Sequence, residues 1–382
     1  MPSTSPPVSL LTASKVILPL LSVLGYYLTH YLIAHNGTVD RMVQIRDVGP
    51  RLLPGTSEPV RTVYTGIPYI DDQLGILTVI FWEQVDGSRP DASLFAFYFG
   101  AQIFPAWGVI MVEGLRKANR GRLISYTAVW GMLMQMFAMA CVVPIMLLLH
   151  LFTSPTVTST NPEDFMLDAS DILTIYTSLA IGLVAPSFLM ALAAPTVISF
   201  DTKQILIAVW QFFPLWVGIA QQVPSLLLKR DEKNSRNGKI VRGSVRAMRF
   251  MYGALLAHAA YSLLSTFQSV GISEVFPDLF SAKYQGVWNF RRVFIPKAIT
   301  PAVKVDSIGS GFFQLLQYDY IIGSVAVVLW GVTLSRLRIG WTSLALGVAA
   351  LAIAGPMGLL VVLIWTRDET IFGQQEEGKK DH

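Results

Sequence analysis

Long runs of apolar residues, separated by short polar segments, extend along most of the chain. The runs lie near residues 16–34, 70–86, 93–113, 124–152, 172–198, 204–228, 247–272, 308–334 and 340–366. A bilayer crossing requires about 20 mostly apolar residues, because backbone polar groups cannot stay unpaired in hydrocarbon. The pattern predicts an all-α protein, a polytopic bundle of about eight or nine transmembrane helices. The count is eight if the second run, which carries Asp71, Asp72 and Glu83, is tilted, interfacial or buried among its neighbours.

Composition supports a chain without a sizeable soluble domain. Hydrophobic residues make up 53% of the 382 residues and charged residues only 14%, whereas about a quarter of the residues of soluble domains are charged. We expect residues 1–366 to form a single transmembrane helical domain. The charged segment 367–382 is predicted to be a disordered C-terminal tail.

Charge and cysteine usage exclude other classes of protein. The net charge of +4 is scattered over many loops, without the contiguous basic stripe of a nucleic-acid-binding surface, so nucleic acid is not an expected partner. The single cysteine, Cys141, lies inside an apolar run. It provides neither a disulfide framework nor a cysteine-based metal site.

Two basic loops give conflicting indications of orientation. One follows the third run, at residues 116–122, and the other follows the sixth, at residues 229–242. Nine simple crossings would place them on opposite sides, against the rule that basic loops stay cytoplasmic. Either an intervening run is re-entrant, with the proline-containing run 204–228 favoured, or one loop violates the rule. We expect an integral, multi-pass protein of the endoplasmic reticulum, whose sequon at Asn36 is usable only if the first loop is lumenal.

Four acidic residues on apolar runs are candidate catalytic groups, because ionisable side chains within a bilayer are costly and mark functional sites. They are Asp72, Glu83, Glu113 and Asp319. Asp72 and Glu83 are eleven residues apart and so lie within about 20° on one helix face. Asp319 is the deepest, about eleven residues into its run, and must be protonated or paired there. The alternative for Asp319 is a structural acid bonded to a neighbouring Tyr, Gln or His.

Asp72 and Glu113 rank first among these acids. A short link makes the second and third runs antiparallel neighbours, which brings Glu113 to the level of Asp72. Two carboxyl groups in one cavity could share a proton, so that one donates and the other accepts. The alternative for Glu113 is an ion pair at the helix end with Arg116 or Lys117.

Aromatic and amide side chains on the same runs could line a binding site, because aromatic ring faces stabilise cations. The predicted substrate-binding residues are Trp82, Trp107, Tyr98, Gln102, Tyr318 and Tyr320. Most aromatic residues in such bundles serve in packing or in interfacial belts, so only a minority should line a site. His150 and His258 have no metal-ligand spacing around them, and structural or interfacial roles are expected for both.

Two other classes of function remain open. The spacing of Asp164 and Asp168, repeated by Glu274 and Asp278, is a weak match to the magnesium-binding carboxylates of intramembrane prenyltransferases. A proton- or cation-coupled transporter or binding protein would use the same acids and a broken helix at 204–228. The sequence contains no P-loop, zincin, Rossmann or nucleophile-elbow motif.

The segment 64–122 carries a more specific pattern. It reads Y-T-G-I-P-Y-I-D-D-Q-L, then F-W-E-Q-V-D-G-S-R-P, F-G-A-Q and E-G-L-R-K-A-N-R-G-R. This resembles the fungal membrane-bound terpene cyclases of ascochlorin- and ascofuranone-type meroterpenoid pathways. The resemblance identifies no catalytic position.

The resemblance implies an enzyme of the isomerase or lyase type in secondary metabolism. Such an enzyme protonates an epoxide or terminal alkene on the farnesyl chain of an aromatic or polyketide substrate and cyclises the chain. It loses no diphosphate and needs neither a metal nor a cofactor. The implied partners are a lipophilic prenylated small molecule, membrane lipid and other enzymes of the pathway.

Overall fold

The computed structural model describes residues 8–227, 238–282, 284–335 and 340–377, and within these ranges the chain is helical without a β-strand. The predicted all-α class is confirmed. The helices are α1 (Val8–Tyr26), α2 (Leu32–His35), α3 (Thr38–Val43), α4 (Pro68–Val85), α5 (Pro90–Leu115), α6 (Thr127–Phe137), α7 (Met139–Thr153), α8 (Ala169–Leu179), α9 (Ala185–Ala191), α10 (Phe200–Trp210), α11 (Phe213–Leu227), α12 (Gly238–Val275), α13 (Phe290–Phe294), α14 (Ile308–Ser335) and α15 (Trp341–Glu377).

All nine predicted apolar runs are largely helical, but they differ in length and continuity. Five helical segments of the described chain are long and apolar enough to cross a membrane. They are Val8–His35, Pro90–Leu115, Pro162–Ala191, Ile308–Ser335 and Trp341–Gly373. A sixth is counted if the bent pair α10 and α11 forms one span. Most of the second basic loop, residues 229–237, lies outside the described residues.

Two helices form the centre of the bundle. α5 and α14 are buried along most of their apolar length, whereas α1 is buried along little of it. α1 packs on α7, and α15 packs on both α12 and α14. Val16, Leu20 and Val23 on α1 are more than half exposed, so this apolar face is available for contact with lipid.

Breaks within the apolar runs shape the interior of the bundle. The run 124–152 is divided at Ala138, whose φ of 66° and ψ of 152° belong to a region that favours glycine. The run 204–228, for which a broken helix was considered, bends by 65° between α10 and α11. Pro214 lies in the first turn of α11, where the missing N–H of proline costs no helical hydrogen bond. The break at Ala138 frees the backbone N–H of Ala140, whereas the N–H groups of Gln211 and Phe212 at the bend bond to carbonyls of α10.

The C-terminal helix extends beyond the predicted domain boundary at residue 366. α15 runs to Glu377, and the side chains of Arg367 and Asp368 are buried. Arg367 and Asp368 form ion pairs inside the protein. These ion pairs stabilise a helix in a segment whose high charge predicts disorder. Residues 378–382 lie outside the described residues.

The sequon at Asn36 is enclosed by the fold. Asn36 is buried, and its Oδ1 accepts hydrogen bonds from the backbone N–H and the hydroxyl of Thr38. Thr38 in turn packs against Gly311 of α14, where an added Cβ would overlap its hydroxyl. The folded protein leaves no room for a glycan on this side chain.

Candidate active site

A cavity of about 270 Å³ lies between the segment 30–42, which follows α1, the helices α4, α5 and α14, and the break that separates α6 from α7. Its volume is close to that of the smaller ligand-binding cavities of proteins. Its apolar wall includes four aromatic residues and five methionines: Phe81, Phe99, Trp210, Phe312, Met42, Met134, Met136, Met139 and Met190. The polar side chains on the wall are His30, Thr38, Gln84, Gln135 and Asp319. An apolar cavity with few polar groups is suited to a lipophilic ligand.

Among the residues that the structure describes, Asp319 carries the only carboxyl group on the wall of this cavity. Its Oδ1 accepts a hydrogen bond of 2.6 Å from the backbone N–H of Ala140, in the first turn of α7. That N–H is free because α7 begins at Met139, directly after the break at Ala138. The backbone N–H of Met139 is a second hydrogen-bond donor to this carboxyl group, so the start of α7 holds Asp319 on the wall of the cavity.

The aromatic residues of the wall pack against one another. The Phe81 ring centroid lies 4.7 Å from that of Phe312 and 5.1 Å from that of Trp210, both at steep interplanar angles. These residues come from α4, α14 and α10, so the wall depends on three helices. Their ring faces could stabilise a cation formed in the cavity.

His30 reaches the same cavity, although the sequence reasoning did not select it. It lies in a π-helical segment, Tyr27–Tyr31, which continues α1, and single π-helical turns occur often at functional sites. Its Nδ1 lies 2.9 Å from the hydroxyl of Thr29. A histidine within an apolar run was the only signal in the sequence.

Asp71 and Asp72, which open α4 in the recognised pattern, have different environments. Asp71 accepts hydrogen bonds from the backbone N–H groups of Thr65 and Gly66 and from the Thr65 hydroxyl. Burial opposes ionisation of Asp71, but these hydrogen bonds outweigh it and lower the pKa of the carboxyl. Asp72 is exposed and lines a smaller pocket of about 50 Å³ that also includes Arg61. Asp71 thus fixes the loop before α4, while Asp72 lies outside the main cavity.

Glu83, on α4, packs against the N-terminus of α14. Its Oε2 accepts a hydrogen bond of 3.3 Å from the hydroxyl of Ser307, and it packs so closely on Gly309 that an added Cβ would overlap it. A carboxylate is favoured at a helix N-terminus because of the helix dipole. Glu83 and Asp72 therefore contact different parts of the molecule and do not line a common cavity.

Glu113 is part of a fully buried network of ion pairs. Its Oε2 accepts from Nε of Arg116 at 2.7 Å and from Nη2 of Arg367 at 2.8 Å. Arg116 also pairs with Asp368 at 2.8 Å. The ion pair with Arg116, which was the alternative for Glu113, is present. The hydroxyl of Thr156 donates to Oε1 of Glu113, so both of its oxygen atoms have donors inside the protein. The structure does not bring Glu113 to Asp72, which is exposed.

Both selected histidines have structural environments. His150 Nδ1 accepts from the indole N–H of Trp330, so its protonated Nε2 faces Glu113 at 3.3 Å. His258 stacks on Phe104 with a centroid distance of 4.2 Å. These contacts agree with the structural roles expected for the two residues.

None of the six residues predicted to bind substrate lines the 270 Å³ cavity. The hydroxyls of Tyr98 and Tyr320 are 2.6 Å apart, and Tyr318 donates to the backbone oxygen of Ala298. Gln102 donates to Ser262 and to the backbone oxygen of Ala259. Trp82 packs in a separate cluster, and Trp107 packs in the main core. Helix packing involves all six residues, and among the described residues Nε1 of Trp82 and Oε1 of Gln102 have no hydrogen-bond partner.

The carboxylates that suggested a prenyltransferase are engaged elsewhere. Asp168 pairs with Arg120 at 2.6 Å, and Glu274 accepts from the backbone N–H of Phe290. Across the residues that the structure describes, no three His, Cys, Asp or Glu side chains are grouped to hold a metal ion. This geometry gives no support to a magnesium site at those spacings.

The fold and the cavity define a class of protein: a helical bundle, with helices long and apolar enough to span a membrane, that surrounds an apolar cavity with Asp319 on its wall. The profile of the CtvD domain family matches residues 14–372, and the chain belongs to this family. The resemblance inferred from residues 64–122 is confirmed. No solved structure matches the chain significantly.

Curated relatives cover nearly the whole chain. Terpene cyclase ascI of Acremonium egyptiacum is 28% identical over 96% of this chain and 95% of its own length. Terpene cyclase ctvD of Aspergillus terreus is 30% identical over 93% of this chain and 99% of its own length. A protein named FAD-dependent monooxygenase anuJ, from Penicillium roqueforti, is 23% identical over 74% of this chain but only 33% of its own length.

Proposed function

We propose that this protein is a membrane-embedded terpene cyclase of fungal meroterpenoid biosynthesis. It protonates an epoxide or terminal alkene on the farnesyl chain of an aromatic or polyketide substrate and cyclises that chain. The position of Asp319, in an apolar cavity and hydrogen-bonded by the first turn of α7, is the observation that carries the proposal. The names of the relatives support a cyclase and not a transporter.

Asp319 is the proton donor in this proposal. Its carboxyl group, in the protonated form, transfers the proton to the epoxide oxygen, whose C–O bond then breaks. The π electrons of a neighbouring alkene form the new C–C bond and leave a carbocation. Phe81, Phe312 and Trp210 lie on the same wall as Asp319, so their ring faces stabilise this cation. The apolar lining of the cavity limits contact between this cation and water.

Gln84 is the residue that we assign to hold a polar group of the substrate. It is buried on the cavity wall, and its Oε1 has no hydrogen-bond partner among the described residues, while its Nε2 donates to the backbone of Ile80. An unpaired buried amide oxygen is costly unless a ligand satisfies it. A substrate hydroxyl group would donate to this oxygen and orient the prenyl chain towards Asp319.

An epoxide fits the proposal better than an unmodified alkene. A monooxygenase with FAD inserts one oxygen atom into its substrate, and epoxidation of an alkene is one such reaction. The protein named FAD-dependent monooxygenase anuJ resembles this chain over 33% of its own length. This association supports an epoxidase among the pathway enzymes that supply the substrate.

The endoplasmic reticulum is the proposed location, with several crossings of the membrane. Two observations support integration into a bilayer. Five helical segments of the described chain are long and apolar enough to cross it, and α1 has an exposed apolar face. A farnesylated substrate partitions into the same bilayer and can reach the bundle from lipid. A fluorescent fusion that co-localises with a reticulum marker would support this location, and plasma-membrane or vacuolar fluorescence would contradict it.

The proposed activity is tested on microsomes from a host that expresses the chain. They are incubated with farnesylated and epoxyfarnesylated aromatics, and microsomes without the protein serve as the control. The expected product is a cyclised isomer of unchanged mass, with the epoxide consumed faster than the alkene. Failure to convert any member of the panel, with the protein present at normal abundance, would contradict the proposal.

A further inference from the structure

His30 and Asp319 are brought together by close contact between α1 and α7. Gly25 of α1 packs against Ala140, where an added Cβ would lie 2.4 Å from the backbone oxygen of Ala140. Only glycine allows this approach, which places the next turn of the chain beside the start of α7. His30 follows one turn after Gly25 and lies on the wall of the cavity.

Two consecutive residues of α7 connect the imidazole and the carboxyl group. Ala140 donates its backbone N–H to Asp319, and the sulfur of Cys141 lies 3.8 Å from Nδ1 of His30. Ser22 of α1 donates to the backbone oxygen of Cys141 and fixes this contact. His30 and Asp319 therefore contact consecutive residues of α7 and line the same cavity.

The hydrogen bonds of Thr29 determine which nitrogen of His30 carries the proton. The Thr29 hydroxyl donates its only hydrogen to the backbone oxygen of Gly25 at 2.7 Å. Its oxygen can then only accept from Nδ1 of His30, 2.9 Å away. The neutral imidazole carries its proton on Nδ1, and Nε2 keeps its lone pair.

The Nε2 atom of His30 is available to a ligand. In the part of the chain that the structure describes, this atom has no hydrogen-bond partner. The ring stacks on Tyr26, with centroids 5.4 Å apart and planes 7° apart, which restricts its orientation. A neutral imidazole with a fixed tautomer and a free nitrogen is arranged as a general base.

We propose that His30 is the base that ends the cyclisation, an inference that rests on the proposed function. Nε2 removes a proton from the carbon next to the final carbocation, and the electron pair of that C–H bond becomes the new alkene. The proton then returns from the imidazolium to the Asp319 carboxylate, directly or through water. Every proton and electron pair is conserved, so the product is an isomer of the substrate.

The test compares His30→Ala with wild-type protein in microsomes that convert an epoxyfarnesylated aromatic. Turnover should fall at least about 100-fold, the usual lower contribution of a positioned base. The residual product should shift to a water adduct, because water then quenches the cation. Added imidazole should restore turnover and the cyclised isomer. His35→Ala, which alters an exposed histidine one turn later, is the matched control and should behave as wild type.

Thr29→Val provides a second variant that keeps the shape of the site. It removes the hydroxyl that fixes the tautomer, so it should lower turnover less than His30→Ala and increase the share of water adduct. Unchanged turnover and product in His30→Ala, in microsomes where wild type cyclises, would overturn the role of His30 and leave the proposed function intact. Loss of turnover that imidazole does not restore, together with loss of substrate binding, would also overturn it.

Discussion

Two regions of the bundle bury acidic side chains, and they differ in how the acid is satisfied. Glu113 is held by Arg116 and Arg367, and all three side chains are shielded from solvent. Asp319 is held by the backbone N–H groups of Met139 and Ala140 at the start of α7 and borders an apolar cavity. The comparison shows that burial of an acid is not by itself a sign of catalysis. A position on the wall of a cavity, without a charged partner, distinguishes the acid that can react.

The largest effect should follow from removing the open acid. Asp319→Asn keeps the shape of the side chain and the contact with Ala140 but removes the proton donor. Turnover should fall by about 100- to 10,000-fold, as for other general acids, with protein abundance unchanged. Product formation in microsomes measures the loss. Turnover within tenfold of wild type would show that Asp319 is not the proton donor.

The paired acid should instead affect stability. Glu113→Gln leaves two buried guanidinium groups with incomplete partners, and breaking a buried ion pair costs about 3–5 kcal/mol. The thermal midpoint in detergent should fall strongly.

The matched control is the exposed ion pair between Arg249 and Glu369, whose side chains are 56% and 37% exposed. Arg249→Gln should cost about 1 kcal/mol or less. If Glu113→Gln is as stable as Arg249→Gln but inactive, then Glu113 takes part in the reaction and the comparison between the two acids is wrong.

The aromatic wall should contribute a smaller part of the rate. Phe81→Leu removes a ring face near Asp319 while keeping an apolar side chain. The loss of a cation–π contact of about 0.5–2 kcal/mol corresponds to about 2- to 30-fold in turnover. Trp82→Phe, in the neighbouring position but away from the cavity wall, should change turnover less. A larger loss for Trp82→Phe than for Phe81→Leu would place the substrate elsewhere.

The smallest effect is expected at Asp72, which the sequence ranked among the first catalytic acids. Asp72 is exposed at the start of α4 and lines only the smaller of the two cavities described above. Surface substitutions usually change free energies by less than about 0.5 kcal/mol, so Asp72→Asn should alter turnover by about twofold or less. A loss comparable to that of Asp319→Asn would restore the original ranking.

The helical class and the acid at Asp319 could be predicted from the sequence because both depend on local composition. A long apolar run predicts a helix, and a carboxyl group within it must find a partner. The identity of that partner depends on tertiary contacts. Ala138 carries no proline or glycine signal, yet its positive φ creates the helix N-terminus that binds Asp319.

Contacts between residues far apart in the sequence explain why the sequence did not indicate the roles of Arg367 and His30. Arg367 was assigned to a disordered tail because its partner, Glu113, lies more than 250 residues earlier in the chain. His30 lies near the N-terminus, and only the packing of Gly25 on Ala140 brings it to α14. Helical periodicity describes one face of one helix and contains no information about such contacts.

The most direct measurement of the central claim is to find which carboxyl group meets the substrate. An epoxide analogue with a saturated chain lacks the alkene that would form the new bond. Once its epoxide is protonated and opened, the carboxylate that gave the proton can trap the carbon as an ester. Peptide mapping by mass spectrometry should locate this adduct at Asp319 and find none in Asp319→Asn. An adduct at Asp72, Glu83 or Glu113, with Asp319 unmodified, would contradict the account.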